Sequence, residues 1–282
     1  MKRRHVEETI ARILMILSLF LVAGSLGFIL FTVIVKGLPA LSWAMLTQTP
    51  KGGFYLGKDG GVLNAIVGSI YLTLGGTILA LVFSLPIALY LEAYCRRSRW
   101  ADLVRLALDV LWGIPSIVYG AFGFTIMLAL GLRASLLGGI LTLAFLELPI
   151  MTRAMDEVIR RMPFELEQAS LALGSTRLET AFNVITRQML PGILTSVLLA
   201  FGRGIGDAAS VLFTAGYTDR IPTSLFQPAA SLPLAVFFQL GTPFPEVQQR
   251  AYASALILTG SVLAISLGSR WIAARVSRYT IS

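Results

Sequence analysis

VLNAIVGSIYLTLGGTILALVFSLPIALYL, residues 62–91, is a run without a single charged side chain. A helix crosses about 30 Å of hydrocarbon with roughly 20 residues, so this run is long enough to span a membrane. Its glycines and Pro86 are tolerated in a membrane helix when neighbouring helices satisfy the freed backbone groups. We therefore expect residues 62–91 to form one transmembrane helix inside a bundle.

The composition of the whole chain agrees with a membrane protein. Of its 282 residues, 56% are hydrophobic and 13% are charged, whereas about 25% are charged in an ordinary soluble domain. The mean hydropathy is +0.78. A chain with so few polar groups does not have enough of them to cover the surface of a soluble globule of this size. A single soluble domain is therefore excluded.

Five further apolar runs are long enough to cross the membrane, so we predict an all-α integral membrane protein with six transmembrane helices. The predicted spans are residues 13–35, 62–91, 103–130, 136–155, 192–215 and 252–274. Between and around them lie a basic tail, 1–12, loops at 36–61 and 216–250, a polar segment, 156–190, and a C-terminal tail, 275–282. The second loop is expected to hold one short apolar helix, at about 234–240.

The basic residues are distributed unevenly between the predicted loops. Sixteen of the 23 lysine and arginine residues lie in the two tails, after the second span, in residues 156–190 or in the span ends that adjoin these segments, against six in the other loops. Cytoplasmic loops of membrane proteins are enriched in lysine and arginine. We therefore expect both termini and residues 156–190 in the cytoplasm, with residues 36–61 and 216–250 outside. The net charge of +8 then follows from topology and does not indicate nucleic acid as a partner.

The scarcity of histidine and cysteine excludes several kinds of site. His5 lies in the basic tail, and Cys95 follows the second span. One residue of each type supports neither a disulfide framework nor a Cys cluster nor a histidine-rich metal site. We predict no catalytic residue and no metal ligand in this chain.

Residues 52–58, GGFYLGK, fit the nucleotide-binding pattern G-x-x-x-x-G-K in outline only. The next residue is Asp59, where a P-loop carries the Ser or Thr that reaches Mg²⁺. The stretch follows no predicted buried strand and lies in a predicted external loop. We expect no nucleotide here, so any ATP would be hydrolysed by another protein.

Residues 156–190 are predicted to form two cytoplasmic helices. The run FELEQASLAL, 164–173, favours a helix, and Gly174 is a natural residue to end it. Thr176 and Glu179 have the spacing of a capping box, which would begin the second helix. Such helices could rest on the membrane surface as an amphipathic connector, or they could dock a cytoplasmic partner.

The first of these helices resembles the cytoplasmic signature of the binding-protein-dependent ABC permeases. That signature reads Glu-Ala-Ala, three residues, Gly, nine residues, then Ile-x-Leu-Pro. Here QAS at 168–170 is followed by LAL, Gly174, nine residues and VITR at 184–187. Ala169 and Gly174 match, while Gln168 replaces the usual Glu. The resemblance implies contact with an ATPase through the residues Glu165, Glu167, Gln168, Ala169, Ser170 and Gly174.

Further stretches are similar to the phosphate-specific permeases of this superfamily. They are GVLNAIVGSIYLTL (61–74), IPSIVYG (114–120), GILTL (139–143) with LPI (148–150), LPGIL (190–194) and GRGIGD (202–207). Their order, together with the short external loop around residues 244–246, resembles the PstA-type subunit more than its PstC-type partner.

The resemblance implies a type-1 ABC importer permease fold in the cytoplasmic (inner) membrane of a prokaryote, in a channel subunit that is not an enzyme. It implies three kinds of partner: a second permease (PstC-type), two ATPase subunits (PstB-type) and an external phosphate-binding protein (PstS-type). The chain itself would bind no cofactor, since the ATPase uses the ATP and Mg²⁺. Whether the pore pairs this chain with itself or with a second permease stays open.

Arg203 is the basic residue predicted to lie near the middle of a span. An arginine near mid-span costs at least about 2.5–3.5 kcal/mol on insertion, so it is expected to face an interior or a water-filled path. Asp207 follows four residues later, on the same face of a continuous helix. The two could form a self-neutralised pair, or Arg203 could offer its planar fork to a passing oxyanion. Gly202 and Gly206 are expected to allow close helix packing.

Asp207 resembles a shortened form of the glutamate that phosphate-specific permeases carry at this position. Phosphate near neutral pH still has a proton to donate and sulfate has none, so we hypothesise that Asp207 helps to distinguish them. Glu147 also falls at predicted membrane depth, where it could balance Arg203 or lie closer to an interface. Asp109 is expected near an interface.

Other functions remain possible on the residues alone. A secondary transporter would also have broken helices and a buried charge pair, but it would need no ATPase. An intramembrane hydrolase would need a nucleophile with a base at membrane depth, and no histidine or lysine lies within a predicted span. An ABC permease for molybdate, sulfate or phosphonate is a further possibility, since only short stretches of sequence favour a phosphate-specific permease over it.

Overall fold

The computed structural model describes residues 2–51, 59–96 and 98–276, and most of these are helical. Residues 52–58, which fit the nucleotide pattern in outline, and the tail 277–282 lie outside the described residues. Among the described residues, four helices are long and apolar enough to cross a membrane, or up to six spans if two sharply bent helix pairs each count as one.

Helices account for every candidate span and for the polar segment between the fourth and fifth spans. In chain order they are α1 (Lys2–Gly37), α2 (Trp43–Thr47), α3 (Leu63–Ala93), α4 (Arg99–Gly113), α5 (Ser116–Ala129), α6 (Leu136–Ile159), α7 (Phe164–Ala172), α8 (Arg177–Glu179), α9 (Thr186–Gln188), α10 (Leu190–Ile205), α11 (Leu232–Leu240) and α12 (Pro245–Val276). A π-helical segment, Thr180–Ile185, joins α8 to α9, and a 3-10 turn, Leu38–Ala40, follows α1. Two short antiparallel strands, β1 (Pro50–Lys51) and β2 (Asp59–Gly60), precede α3.

The four long helices α1, α3, α6 and α12 cover the first, second, fourth and sixth predicted spans. The basic tail predicted at 1–12 is instead helical from Lys2, because this stretch contains no glycine or proline to stop α1. At the other end, α12 begins at Pro245, ahead of the predicted start at residue 252, and proline is well suited to a first helical turn.

The third predicted span, residues 103–130, is expected to be interrupted at GIPS, 113–116, and the structure has this interruption. The chain forms α4 and α5 there, and their axes are bent by 98° at the junction. The break falls at Ile114, which has extended backbone angles (φ −70°, ψ 132°) and precedes Pro115. A residue before proline is pushed out of the helical region by contact with the proline ring, so α4 ends here.

The fifth predicted helix, residues 192–215, extends further along the chain than the helix in the structure. α10 ends at Ile205, and the residues that follow it form turns rather than helix. Glycines at 202, 204 and 206 each weaken a helix by about 0.5–1 kcal/mol relative to alanine. The carboxylate of Asp207 then accepts a hydrogen bond from the Ser210 N–H at 2.8 Å, which stabilises a turn in place of another helical one.

The helix α6 is at the centre of the bundle and packs along most of α3, with α10, α4 and α5 also against it. Glycine permits the close approach of α3 and α6. A Cβ on Gly75 would lie 2.7 Å from Cδ1 of Ile140, and a Cβ on Gly76 would lie 3.0 Å from Cβ of Leu143. A larger side chain at these positions would have to displace the side chain of Ile140 or of Leu143.

The first helix is peripheral to this bundle. It packs against α12, where the backbone at Gly37 approaches that of Tyr252 so closely that a Cβ would lie 2.6 Å from the Tyr252 carbonyl oxygen. Elsewhere the apolar side chains of α1 are exposed on this chain. In a bilayer such a surface contacts lipid or another membrane helix.

Candidate functional site

Arg203 lies in the last turn of α10 and is exposed. Among the described residues, no ion pair joins it to Asp207. The expectation that both side chains share one helical face is wrong, because the helix ends between them at Ile205. Instead, Oδ1 of Asp207 accepts the backbone N–H of Ser210. The guanidinium of Arg203 therefore faces outward from this chain.

The glycines beside Arg203 do not pack against another helix of this chain, contrary to expectation. A Cβ on Gly202 would meet no atom within 4 Å, and one on Gly206 would approach only the carbonyl oxygen of Arg203, at 3.9 Å. The close contact is made by Gly204, which is buried and lies against Glu147 so tightly that any Cβ would collide with Oε1. Gly202, Arg203 and Gly206 together leave an open face at the end of α10.

Glu147 is fully buried near the middle of α6. Its Oε2 accepts a hydrogen bond from Thr77 of α3 at 2.8 Å, and its Oε1 faces Gly204 of α10. In the part of the chain that the structure describes, no hydrogen bond reaches Oε1. The carboxyl group therefore sits where three helices meet, and it does not pair with Arg203.

Asp109 does take part in an ion pair, within a network that the sequence analysis did not find. Arg105 of α4 is buried and donates from Nε and Nη2 to the two carboxylate oxygens of Asp156, at 2.9 and 3.1 Å. Arg153 donates to Oδ2 of Asp156 at 3.2 Å and to Asp109 at 2.7 Å. The network ties α4 to the far end of α6, and Asp156 is completely buried within it.

A periodic signal in the sequence marks the buried arginine. Ala101, Arg105 and Leu108 recur at intervals of four and three residues, and all three are buried on one face of α4. An arginine within an apolar stripe requires a carboxylate partner. The partner, Asp156, lies 51 residues further along the chain, so the stripe alone does not identify it.

The predicted pair of helices between the fourth and fifth spans is present, with its local signals intact. Thr176 and Glu179 form the expected capping box, in which each side chain accepts the backbone N–H of the other. Gly174 has a φ of +89°, a conformation that other residues rarely adopt, and it ends the turn after α7. We name residues 164–174, with α7 and its glycine, the α7 hairpin tip.

The predicted coupling residues separate into two groups. Four of them, Glu165, Gln168, Ala169 and Gly174, are exposed on the α7 hairpin tip. Ser170 is half-buried and shares a hydrogen bond of 2.9 Å with Thr180 of the π-helical segment. The structure also exposes Leu173 by 88%, which the sequence analysis did not single out.

Glu167 differs from the other predicted coupling residues because it points inward. It is buried, and its Oε2 lies 3.5 Å from Nη1 of Arg96, which in turn bonds Glu92 of α3 at 2.8 Å through Nε. The guanidinium of Arg96 also lies 5.1 Å from the ring centre of Phe164. Glu167 therefore anchors the α7 hairpin tip to α3, and it is not available to a partner on the exposed side.

The comparison with protein families agrees with this architecture. The family described as "Binding-protein-dependent transport system inner membrane component" matches residues 84–280. The chain belongs to this family. It is a multi-pass membrane protein, and the matched region contains the α7 hairpin tip, Arg203 and the α4–α6 ion pairs.

Individual relatives cover nearly the whole chain. The phosphate transport system permease protein PstA of Haemophilus influenzae is 34% identical over 246 residues, which are 87% of this chain and 86% of that protein. The PstA protein of Yersinia pestis is 33% identical over 273 residues, 96% of this chain and 92% of that protein. A solved structure of the MetNI methionine ABC transporter in an inward-facing conformation superposes with a TM-score of 0.61. It is 17% identical and covers 76% of this chain and 95% of the other, so the two share a fold.

Proposed function

We propose that this chain is the PstA-type permease subunit of an ABC importer that moves inorganic phosphate across the cytoplasmic membrane. The observation that carries the proposal is the identity of 34% and 33% to two PstA proteins over nearly their full length. We further propose six spans, in which the bent pair α4–α5 contributes one and α10, bent against residues 177–188 before it, contributes another, with both termini in the cytoplasm. The uneven distribution of basic residues supports this orientation.

The proposed partners are a second permease, two ATPase subunits and an external phosphate-binding protein. The open face at Gly202, Arg203 and Gly206 supports a second permease, because an exposed arginine of a membrane protein needs a polar or protein-lined surrounding. This chain provides half of the path, and ATP and Mg²⁺ are bound by the ATPase subunits. The chain itself holds no cofactor.

Coupling begins at the exposed part of the α7 hairpin tip. Gln168 and Leu173 project from it and are available to an ATPase surface. Movement of the tip passes to α3 through Glu167 and the Arg96–Glu92 ion pair. The bundle then shifts between two packings, one open to the outside and one open to the cytoplasm, as ATP binding and hydrolysis alternate.

Arg203 is proposed to bind the phosphate oxyanion as it passes between the two permeases. Its guanidinium presents parallel N–H donors that match two oxygens of one phosphate. Asp207 accepts one hydrogen bond from Ser210, and a carboxylate accepts up to about four, so it retains capacity for the proton of a phosphate. Sulfate has no such proton, which gives the carboxylate a means of selection.

The proposal is tested by uptake of radiolabelled phosphate into vesicles that contain the reconstituted complex. Uptake is expected only with ATP inside and the phosphate-binding protein outside. Uptake that persists without ATP would instead favour a secondary transporter. Competition with unlabelled molybdate, sulfate and phosphonate identifies the oxyanion, and displacement of phosphate by any of them would overturn the assignment of the substrate.

A further inference from the structure

An apolar groove of about 560 Å³ opens on the side of the bundle, at the end of α3. Its walls come from the last turns of α3, the start of α4, α8 and the π-helical segment. The lining is almost entirely apolar or aromatic and includes Pro86, Tyr90, Tyr94, Trp100, Leu178 and Phe182. The groove therefore lies between the transmembrane core and the segment that carries the α7 hairpin tip.

The groove lies where the apolar surface of the chain gives way to a charged one. The long apolar helix α3 ends at Ala93, and the first charged side chain beyond it is Arg96. Tyr90 and Tyr94 stack at this end with their ring centres 5.3 Å apart, and Trp100 is 73% exposed. Tyrosine and tryptophan collect at the boundary between hydrocarbon and headgroups, so the groove is at the depth of that boundary.

Two arginines are adjacent in sequence to residues that line the groove. Arg99 lies between Ser98 and Trp100, which both line the groove, and Arg177 precedes Leu178, another lining residue. Both arginines are exposed, and in the described part of the chain neither forms an ion pair. The guanidinium of Arg177 lies 5.9 Å from the ring centre of Tyr94.

The carboxylates closest in sequence to these arginines are already engaged elsewhere. Asp102, one turn along α4, lies 3.4 Å from Nη1 of Arg105, and Glu179 accepts two hydrogen bonds in its capping box with Thr176. Arg177 also lines a neighbouring pocket with Glu92 and Glu167, whose carboxylates lie 2.8 and 3.5 Å from Arg96. Among the described residues, Arg99 and Arg177 are therefore positive charges without an ion-pair partner, beside an apolar recess. An acyl chain joined to a negatively charged headgroup has the complementary arrangement.

We propose that this groove binds one anionic phospholipid of the cytoplasmic leaflet, with an acyl chain against Pro86, Tyr90 and Phe182 and its phosphate at Arg99 and Arg177. The leaflet follows from the orientation proposed above, whereas the site itself requires no transport. Basic pockets next to transmembrane helices on the cytoplasmic side are a known form of lipid recognition. A lipid here touches both α3 and the π-helical segment, so it would stabilise one position of the α7 hairpin tip relative to the core.

The test is photo-crosslinking on the reconstituted complex. Vesicles of phosphatidylcholine receive a trace of phosphatidylglycerol with a photoreactive group on one acyl chain, and crosslinked peptides are mapped by mass spectrometry. Labelling of peptides that contain Tyr90 or Phe182 is expected, and unlabelled phosphatidylglycerol should compete more strongly than phosphatidylcholine. Each of Arg99→Gln and Arg177→Gln should raise about fivefold the concentration of unlabelled phosphatidylglycerol that halves the labelling, which is the factor for one basic residue at an anionic surface. The double variant should raise it about 30-fold.

Matched variants separate the proposal from a structural effect. Arg187→Gln removes an exposed arginine of the same polar segment whose sequence neighbours do not line the groove, and it should leave labelling unchanged. The double variant Arg99→Lys with Arg177→Lys keeps both charges and should restore the competition by phosphatidylglycerol. Equal competition by the two lipids, or unchanged labelling in the double glutamine variant, overturns the proposal. Absence of labelling in the complex also overturns it, because a partner subunit then covers the groove.

Phosphate uptake by the same vesicles provides an independent measurement. Lipid labelling with no phosphate uptake would contradict the proposed function and leave the lipid site standing. Normal phosphate uptake without selective labelling would contradict the lipid site and leave the proposed function standing.

Discussion

Replacing Asp156 by asparagine should cost a large part of the stability of this protein. Asp156 is completely buried and accepts two hydrogen bonds from Arg105 and one from Arg153. Arg105 itself is only 6% exposed, so the substitution leaves a buried guanidinium without its carboxylate. Breaking a buried pair in this way costs about 3–5 kcal/mol, because desolvation of the remaining charge is no longer compensated.

A control is available on the same arginine. Asp102 lies 3.4 Å from Nη1 of Arg105, but its side chain is 78% exposed. Water and salt screen an exposed pair of this kind, so Asp102→Asn should cost less than about 1 kcal/mol. The two variants remove the same charge from the same partner and differ in burial.

The assay is equilibrium unfolding of the purified chain by sodium dodecyl sulfate in mixed micelles, followed by tryptophan fluorescence. Trp100 and Trp112 are both on α4, the helix that Asp156 holds, so release of α4 changes the signal. The double variant Arg105→Met with Asp156→Leu should recover most of the loss, because apolar side chains of similar size replace the pair without leaving a buried charge. Equal costs for Asp156→Asn and Asp102→Asn would refute the argument from burial.

Three further substitutions test other contacts. Gly204→Ala should destabilise the chain by about 1–3 kcal/mol in the same titration, since its Cβ collides with Oε1 of Glu147, and Glu147→Ala should relieve the loss. Gly174→Leu should abolish phosphate uptake while the protein still inserts. The control Gly131→Leu has similar backbone strain (φ +67° against +89°) and equally open space, and it should transport normally. Wild-type uptake by Gly174→Leu would contradict docking at the α7 hairpin tip. Asp207→Asn should let sulfate compete with phosphate, and unchanged selectivity would contradict a role for its carboxylate.

The elements that the sequence predicted well are those with their chemical signals close together in the chain. The capping box joins Thr176 and Glu179, three residues apart, and Gly174 ends its helix by a property of its own backbone. Neither depends on the rest of the fold. The long apolar helices are equally direct, since their length and hydropathy are properties of a single segment.

The end of α10 and the burial of charges depend on contacts that a segment alone does not encode. Residues 206–215 remain largely apolar after the helix has ended, so hydropathy continues to favour a span. The separation of 51 residues between Arg105 and Asp156 places their pairing beyond any local pattern. The motif predicts that Glu167 contacts a partner, as its neighbours in the motif do. Its position around the axis of α7 instead directs its side chain toward Arg96.

The exposure of Arg203 gives the strongest indication of what this chain lacks by itself. An arginine in contact with lipid would cost about 2.5–3.5 kcal/mol even on insertion scales, and Gly202 and Gly206 beside it leave the same face open. Thr77, Glu147 and Gly204 show that the opposite side of α10 is already packed. The open face therefore needs a second polar surface rather than hydrocarbon. A half-channel completed by another permease satisfies this requirement, and it would place Arg203, the proposed anion-binding group, at the junction, where a movement of either half changes access to it.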